Sequence, residues 1–221
     1  MSKANNVILF GFGVSPFCGR VKVALAEKGV SYEEREEDLC GGKSEQLLKY
    51  NPIYQKVPVL LHDGKPVLES SIIVTYIDEV WPSNPLLPNC AYERAKARFW
   101  TDYIDKKVFD TARGIWLSKG GEEQEVAKKD FIEILKQLEE ALGEKDFFGG
   151  DSFGYVDVIA IPLTTWFSAC EKFGGFKVED HCPKISAWTK RCFQRPTVVK
   201  SLPDPENVYQ FTIQFRKMHG L

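Results

Sequence analysis

The chain has 221 residues, a formal net charge of −2 and 13% aromatic residues. That length holds one large or two small domains with a sizeable core. The near-neutral balance and the lack of a dense basic stripe exclude nucleic acid, and a membrane surface held by charge, as expected partners.

An apolar strand is expected over residues 7–12. A helix follows over 16–28, with Pro16 in its first turn and Gly29 just past its end. Residues 32–36 read as a second strand and 44–50 as a short helix. Strands over 57–62 and 65–68 meet at Asp63-Gly64, the dipeptide of a tight hairpin. An apolar helix is expected over 70–80. The order β-α-β-α-β-β-α gives an α/β domain with a mixed four-stranded sheet over residues 1–80. Trp81-Pro82-Ser83-Asn84-Pro85-Leu86-Leu87-Pro88 cannot continue a helix, so 81–90 reads as a linker. From 91 to 221 the spacing is helical. Helices are expected over 91–118 and 122–142, over an almost wholly apolar 155–173 bent at Pro162, and over 183–193, 197–202 and 206–218.

No apolar run approaches the ~20 residues of a membrane span, and no small-residue cleavage pattern follows residues 7–14. Neither a spanning segment nor a signal peptide is expected. The six cysteines (Cys18, Cys40, Cys90, Cys170, Cys182, Cys192) form no C-x-x-C pair. The three histidines (His62, His181, His219) add no metal-ligand spacing. Free thiols in a reducing cytosol, and no metal, are the expectation.

Chemistry concentrates in three pieces of the first domain. Ser15-Pro16-Phe17-Cys18-Gly19-Arg20 stands where a strand hands over to a helix. The first N–H groups of a helix lack internal partners and its start carries partial positive charge, so such a place holds anions and stabilises thiolates. Ser15 alone reads as an N-cap. In the second piece, Lys56-Val57-Pro58-Val59, a cis bond before Pro58 would turn the backbone of Val57 toward a cleft, where it can pair with an extended peptide. In the third, Glu69 can hold an ammonium while Ser70 and the helix start favour a carboxylate. Lys43 and Lys56 can hold a second carboxylate. A ligand with an amino acid head, a central amide and thiol, and an acidic tail is glutathione.

These stretches, with Ala24-Leu25-Ala26-Glu27-Lys28-Gly29, Glu36-Glu37-Asp38-Leu39, Asn51-Pro52, His62-Asp63-Gly64-Lys65-Pro66, Phe99-Trp100-Thr101-Asp102-Tyr103-Ile104-Asp105 and Phe153-Gly154-Tyr155-Val156-Asp157, resemble the cytosolic glutathione transferases, most of all the plant tau class. The resemblance covers nearly the whole chain. It implies a thioredoxin-like first domain, an all-helical second domain over 91–221, and a cytoplasmic homodimer that conjugates glutathione to hydrophobic electrophiles. Glutathione would be a co-substrate, with no further cofactor. Ser15 would hydrogen-bond the glutathione thiolate, and Lys43 and Lys56 would meet the glycyl carboxylate. Val57 would pair through its backbone, and Glu69 and Ser70 would bind the γ-glutamyl end. Phe12, Phe17, Phe109, Arg113, Trp116, Trp166 and Phe211 would line the electrophile pocket, with Arg113 a candidate for meeting charge that develops on the electrophile. Peroxide reduction would be a side activity. One departure stands out: the family's helix-start box has Ser or Thr where this chain has Gly154, so a weaker cap is expected there. The rival readings are a glutathione-dependent thiol reductase acting through Cys18 and a non-catalytic carrier of hydrophobic ligands.

Overall fold

The computed structural model describes residues 6–39 and 41–221; Cys40 lies outside them. Strand β1 (Val7–Gly11) is buried along its whole length, because both of its faces are covered. Val7 and Leu9 pack against Val21, Ala24 and Leu25 of α1 (Pro16–Glu27) and Ile73, Val74 and Ile77 of α3 (Ser70–Val80). The alternate residues, Ile8 and Phe10, pack with Leu47 of α2 (Glu45–Tyr50). The sheet order is β2-β1-β3-β4, with β2 (Glu33–Glu36) parallel to β1, β3 (Val59–His62) antiparallel to β1, and β4 (Lys65–Leu68) antiparallel to β3. The hairpin turn falls at Asp63 (φ 50°) and Gly64 (φ 78°), the two positive φ angles that a two-residue turn of this hand requires.

The register gathers the candidate residues. Gly11 pairs with Glu36, Phe10 with Val59, and Val59 with Leu68. The segments that lead from β1 to Ser15, from β2 to Lys43, into β3 from Val57 and out of β4 to Glu69 therefore leave one end of the sheet together.

The second half is helical. Two long helices, α4 (Ala91–Leu117) and α5 (Glu122–Leu142), pack along each other. The apolar stretch expected as one helix over 155–173 is three pieces: α6 (Tyr155–Ala160), a 3₁₀ segment (Ile161–Trp166) and α7 (Phe167–Gly174). Pro162 has no N–H to give. The hydroxyls of Thr164 and Thr165 donate back to the carbonyls of Ile161 and Pro162, both at 2.8 Å, in the three-residue spacing of a tighter turn. The short α8 (Val178–His181) was not anticipated. Helix α9 spans Pro183–Cys192, and α10 starts at Pro196 and ends at Val199 instead of covering 197–202. Helix α11 spans Pro205–Met218. Strand β3 begins at Val59, not at 57, because Pro58 has no N–H for the ladder. Among the described residues no helix is long and apolar enough to cross a membrane.

Several contacts hold the halves and the segment between them together. A Cβ on Gly19 would sit 2.9 Å from Pro162 Cβ and 2.8 Å from Leu202 Cδ2, so only glycine lets α1 approach the 3₁₀ segment this closely. The Lys28 ammonium, fully buried, pairs with Asp78 at 2.6 Å and donates to the carbonyls of Ser83 (2.9 Å) and Asn84 (2.8 Å). Asp78 in turn accepts the N–H groups of Leu86 (2.7 Å) and Leu87 (3.0 Å), so the proline-rich connection is stitched to α1 and α3. Glu27 accepts from Arg195 and Thr197.

At the start of α6, Asp157 is completely buried and accepts from the N–H groups of Gly154 (2.9 Å) and Phe148 (3.0 Å) and from the Trp188 indole N–H (2.8 Å). Only this half of the reciprocal cap exists, since Gly154 has no side chain, in line with the weaker cap expected. Burial pushes the Asp157 carboxyl up from 3.8 to about 6, against the pull of its three donors. The folded value lies above the unfolded one, so between about pH 4 and 6 the native chain holds more protons than the unfolded chain. The contribution of Asp157 to stability therefore falls as pH rises through that window. Asp157→Asn, whose amide meets the Gly154 N–H donor to donor, should cost about 1–3 kcal/mol in urea unfolding at neutral pH and flatten the stability profile between about pH 4 and 6.

Candidate active site

Ser15 is the N-cap of α1, with extended backbone angles (φ −69°, ψ 120°). Its Oγ accepts the Cys18 N–H at 3.3 Å. A hydroxyl has one proton and two lone pairs, so this bond spends an acceptor site and leaves the O–H free to donate. Ser15 is half-buried, at the positive end of a 12-residue helix.

The Val57–Pro58 bond is cis, and Val57 stands half-buried ahead of the β3 ladder. Glu69 is exposed, with φ 66° in the left-handed region, where a non-glycine residue costs of order 1–3 kcal/mol. It immediately precedes α3. Ser70 is buried, and its Oγ accepts from Arg20 Nη1 at 3.1 Å, which frees its proton in the same way. Lys43 and Lys56 are exposed. The Lys56 carbonyl accepts from the buried Asn51 amide at 2.9 Å, which anchors the turn ahead of Val57. The Ser44 hydroxyl, N-cap of α2, and the Ser44 N–H both donate to the buried Glu37 carboxylate (2.6 and 3.0 Å), so the segment next to Lys43 is held from below.

Beside this polar end lies a cluster of rings from both halves. Phe12 meets Phe211 edge-on at 5.4 Å between centroids, and Phe17 meets Phe109 at 5.2 Å. These four are half-buried. Behind them Trp116 and Trp166 are buried and 5.2 Å apart, with Trp166 also 5.4 Å from Phe109. Six of the seven candidate liners thus come together. Arg113 stands exposed on α4, three residues before Trp116, apart from these ring contacts. Among the described residues no group of three or more His, Cys, Asp or Glu side chains is placed to hold a metal ion.

Residues 5–79 match the family model "Glutathione S-transferase, N-terminal domain", and residues 99–196 match "Glutathione S-transferase, C-terminal domain". The chain belongs to the glutathione S-transferase family. It is 58% identical to glutathione S-transferase U19 of Arabidopsis thaliana over 97% of both chains. It is 51% identical to glutathione S-transferase 3 of Glycine max, again over 97% of each. A solved rice glutathione transferase in complex with glutathione superposes with a TM-score of 0.95 at 45% identity, covering 100% of both chains. A tau-class glutathione S-transferase from mango gives a TM-score of 0.89 at 38% identity, over 95% of this chain and 98% of that one. Within the family the chain stands with the plant tau class.

In this transferase Arg20, to which sequence reasoning gave no role, supports the candidate site from beneath. It is 1% exposed and donates to the Ile159 carbonyl (2.8 Å), the Asp105 carboxylate (2.6 Å) and Ser70, so a single side chain of α1 reaches α3, α4 and α6. Burial pulls the guanidinium pKa down and Asp105 pulls it back up. The signal was available: an arginine among Cys18, Gly19, Val21 and Val23 on a helix facing the core must find a partner.

Nothing favours Cys18 as the reactive thiol of this transferase. It is completely buried, and burial pushes its pKa up to about 11, whereas a reactive cysteine is partly exposed and acidified. The other described cysteines, Cys90, Cys170, Cys182 and Cys192, are free, and Cys90 is exposed. Brief alkylation of the folded enzyme, followed by peptide mass spectrometry, should label Cys90 while Cys18 stays unmodified until denaturant is added.

Proposed function

We propose that this chain conjugates the thiolate of glutathione to hydrophobic electrophiles. The observation that carries the reading is Ser15, whose oxygen is occupied by the Cys18 N–H and whose proton is left to donate at the start of α1. A serine at neutral pH takes no proton from a thiol. It stabilises sulfur once charged, and a donor aimed at the charged form lowers that group's pKa. Glutathione's thiol has a pKa near ~8.5 in water, and lowering it to about 7.5 raises the thiolate fraction at neutral pH roughly tenfold.

In this reading Glu69 meets the α-ammonium, and the free proton of Ser70 with the first N–H groups of α3 meets the γ-glutamyl carboxylate. The strained backbone of Glu69 supports a functional role, since such strain persists where the surroundings impose it. Val57 pairs with the peptide through its N–H and C=O, and Lys43 and Lys56 meet the glycyl carboxylate. Phe12, Phe17, Phe109 and Phe211 contact the electrophile, Trp116 and Trp166 back them, and Arg113 receives charge developing on the leaving side. Holding both reactants in one cleft supplies the proximity part of the rate. Glutathione is a co-substrate, and the reading invokes no metal or further cofactor.

The domain division that goes with it is 1–80 for glutathione, 81–90 as connection and 91–221 for the electrophile. A cytoplasmic homodimer is part of the same proposal. The exposed Ile72 (58%), Tyr92 (70%) and Phe99 (60%) on α3 and α4 supply apolar surface for a second copy.

Ser15→Ala should lower kcat for conjugation to a chloronitroarene by about a hundredfold, the scale for losing one aimed donor, with glutathione KM changed much less. Turnover equal to the parent enzyme would remove Ser15 from the mechanism.

A further inference from the structure

We propose that Trp166 and Glu36 are positioning residues that clamp the Ser15 loop from opposite sides, so that the acidity of bound glutathione depends on both. The inference rests on the role given to Ser15 above.

Residues 12–14 join β1 to α1 and carry Ser15 at their end. Their polar backbone groups are divided between two kinds of partner. Main chain takes the first: the Ser15 N–H donates to the Phe12 carbonyl at 2.9 Å, just beyond the end of β1, where the Glu37 N–H donates to the Gly11 carbonyl at 2.8 Å. Side chains take the next two. The Gly13 N–H donates to Glu36 Oε1 at 2.6 Å, and the Val14 carbonyl accepts the Trp166 indole N–H at 3.1 Å. The Gly13 N–H and the Val14 carbonyl, which flank the peptide joining Gly13 to Val14, are therefore each held by a side chain, in addition to the main-chain turn from Ser15 to Phe12.

The two holders differ in kind. Glu36 is the last residue of β2, in register with Gly11, so its carboxylate comes from the same sheet that supports the loop. A charged acceptor gives a short bond, here at an exposed position. Trp166 comes from the helical half, 152 residues away, at the end of the 3₁₀ segment. Its indole is 4% exposed and boxed by Phe109 (5.4 Å), Trp116 (5.2 Å) and Phe211 (6.2 Å), so its N–H direction is fixed by packing. Burial in this cluster does not by itself bring a partner: the neighbouring Trp116 indole N–H is buried with none among the described residues. The ring that backs the electrophile cluster is thus also the ring that sets the loop presenting the hydroxyl.

A hydrogen bond to sulfur weakens steeply with angle and distance, so a loop released on one side lets the hydroxyl wander and the thiol lose acidity. A merely structural role would lower the melting temperature and leave that acidity in place. The test is a pH titration of the ultraviolet thiolate absorbance of bound glutathione, with kcat/KM against pH and glutathione Kd, in Trp166→Phe, Glu36→Ala, Glu36→Gln and Ser15→Ala. Trp166→Phe and Glu36→Ala should each raise the bound thiol's apparent pKa by about 1. Conjugation at neutral pH should fall about tenfold and recover in alkali, with Kd changed less than about threefold. Glu36→Gln keeps an acceptor for the Gly13 N–H but removes a negative charge that by itself raises the pKa of a nearby thiol, so its titration should lie at or below the parent value, opposite in direction to Glu36→Ala. If Ser15→Ala shifts the titration and neither Trp166→Phe nor Glu36→Ala does, the clamp is overturned and the Ser15 reading stands. If Ser15→Ala leaves the titration unmoved, the underlying reading fails and the clamp with it. Should Trp166→Phe not fold, the Glu36→Ala and Glu36→Gln pair decides by the same measure.

Discussion

A guanidinium taken out of water costs several kcal/mol unless its donors are met, and Arg20 meets most of that demand, through Nε and Nη1, by drawing in both halves of the molecule; its buried Nη2 has no partner among the described residues. Its acceptors sit on α3 (Ser70), α4 (Asp105) and α6 (Ile159), and its Cζ lies 5.0 Å from the centroid of the Phe17 ring. Since Arg20 is five residues after Ser15 on the same helix, whatever fixes it against the helical half also fixes the hydroxyl at the start of α1. The same guanidinium donates to the Ser70 hydroxyl, at the far side of the proposed glutathione site. Gly19, beside it, supplies the close approach that makes the contact reachable. Domain packing and site geometry are in this sense one problem, solved by one buried charge.

The site separates two kinds of chemistry by using two kinds of material. Its polar end is built on helix starts, free hydroxyl protons and exposed lysines, all gathered by the sheet register at one edge. None of these groups needs to change protonation for the proposed reaction. Its apolar end is built on rings, with half-buried phenylalanines in front and buried tryptophans behind. Sulfur would lie at the seam, where Ser15 and Phe12 are three residues apart.

Local signals carried far into the structure. Asp63-Gly64 turned where its φ angles require, Ser15 and Ser44 capped the helices that follow them, and α3 and α5 begin and end where the apolar periodicity does. What escaped depends on partners distant in sequence. Arg20, Lys28, Glu37 and Asp157 are buried charged residues, and nothing adjacent to them says what meets them. The segment after Tyr155 reads as one helix because apolar content marks burial but not pitch; Pro162 and the two threonine hydroxyls decide the pitch. Among the candidate site residues, the placement of Ser15, Glu69 and Ser70 was legible because each sits at a helix start. The Trp166 indole was legible only as an aromatic, since its bond to Val14 spans most of the chain.

The stitching of the proline-rich connection by Lys28 and Asp78 has a consequence for substrate range. With the carbonyls of Ser83 and Asn84 and the N–H groups of Leu86 and Leu87 all engaged, the backbone between the halves is spliced to the first half and offers no free hinge. In the proposed reading, guests of different outline are accommodated by turning Phe12, Phe17, Phe109 and Phe211 about their own side-chain bonds. Breadth of this kind comes from rotating panels inside a fixed frame, and new selectivity can arise by exchanging single rings without disturbing the frame.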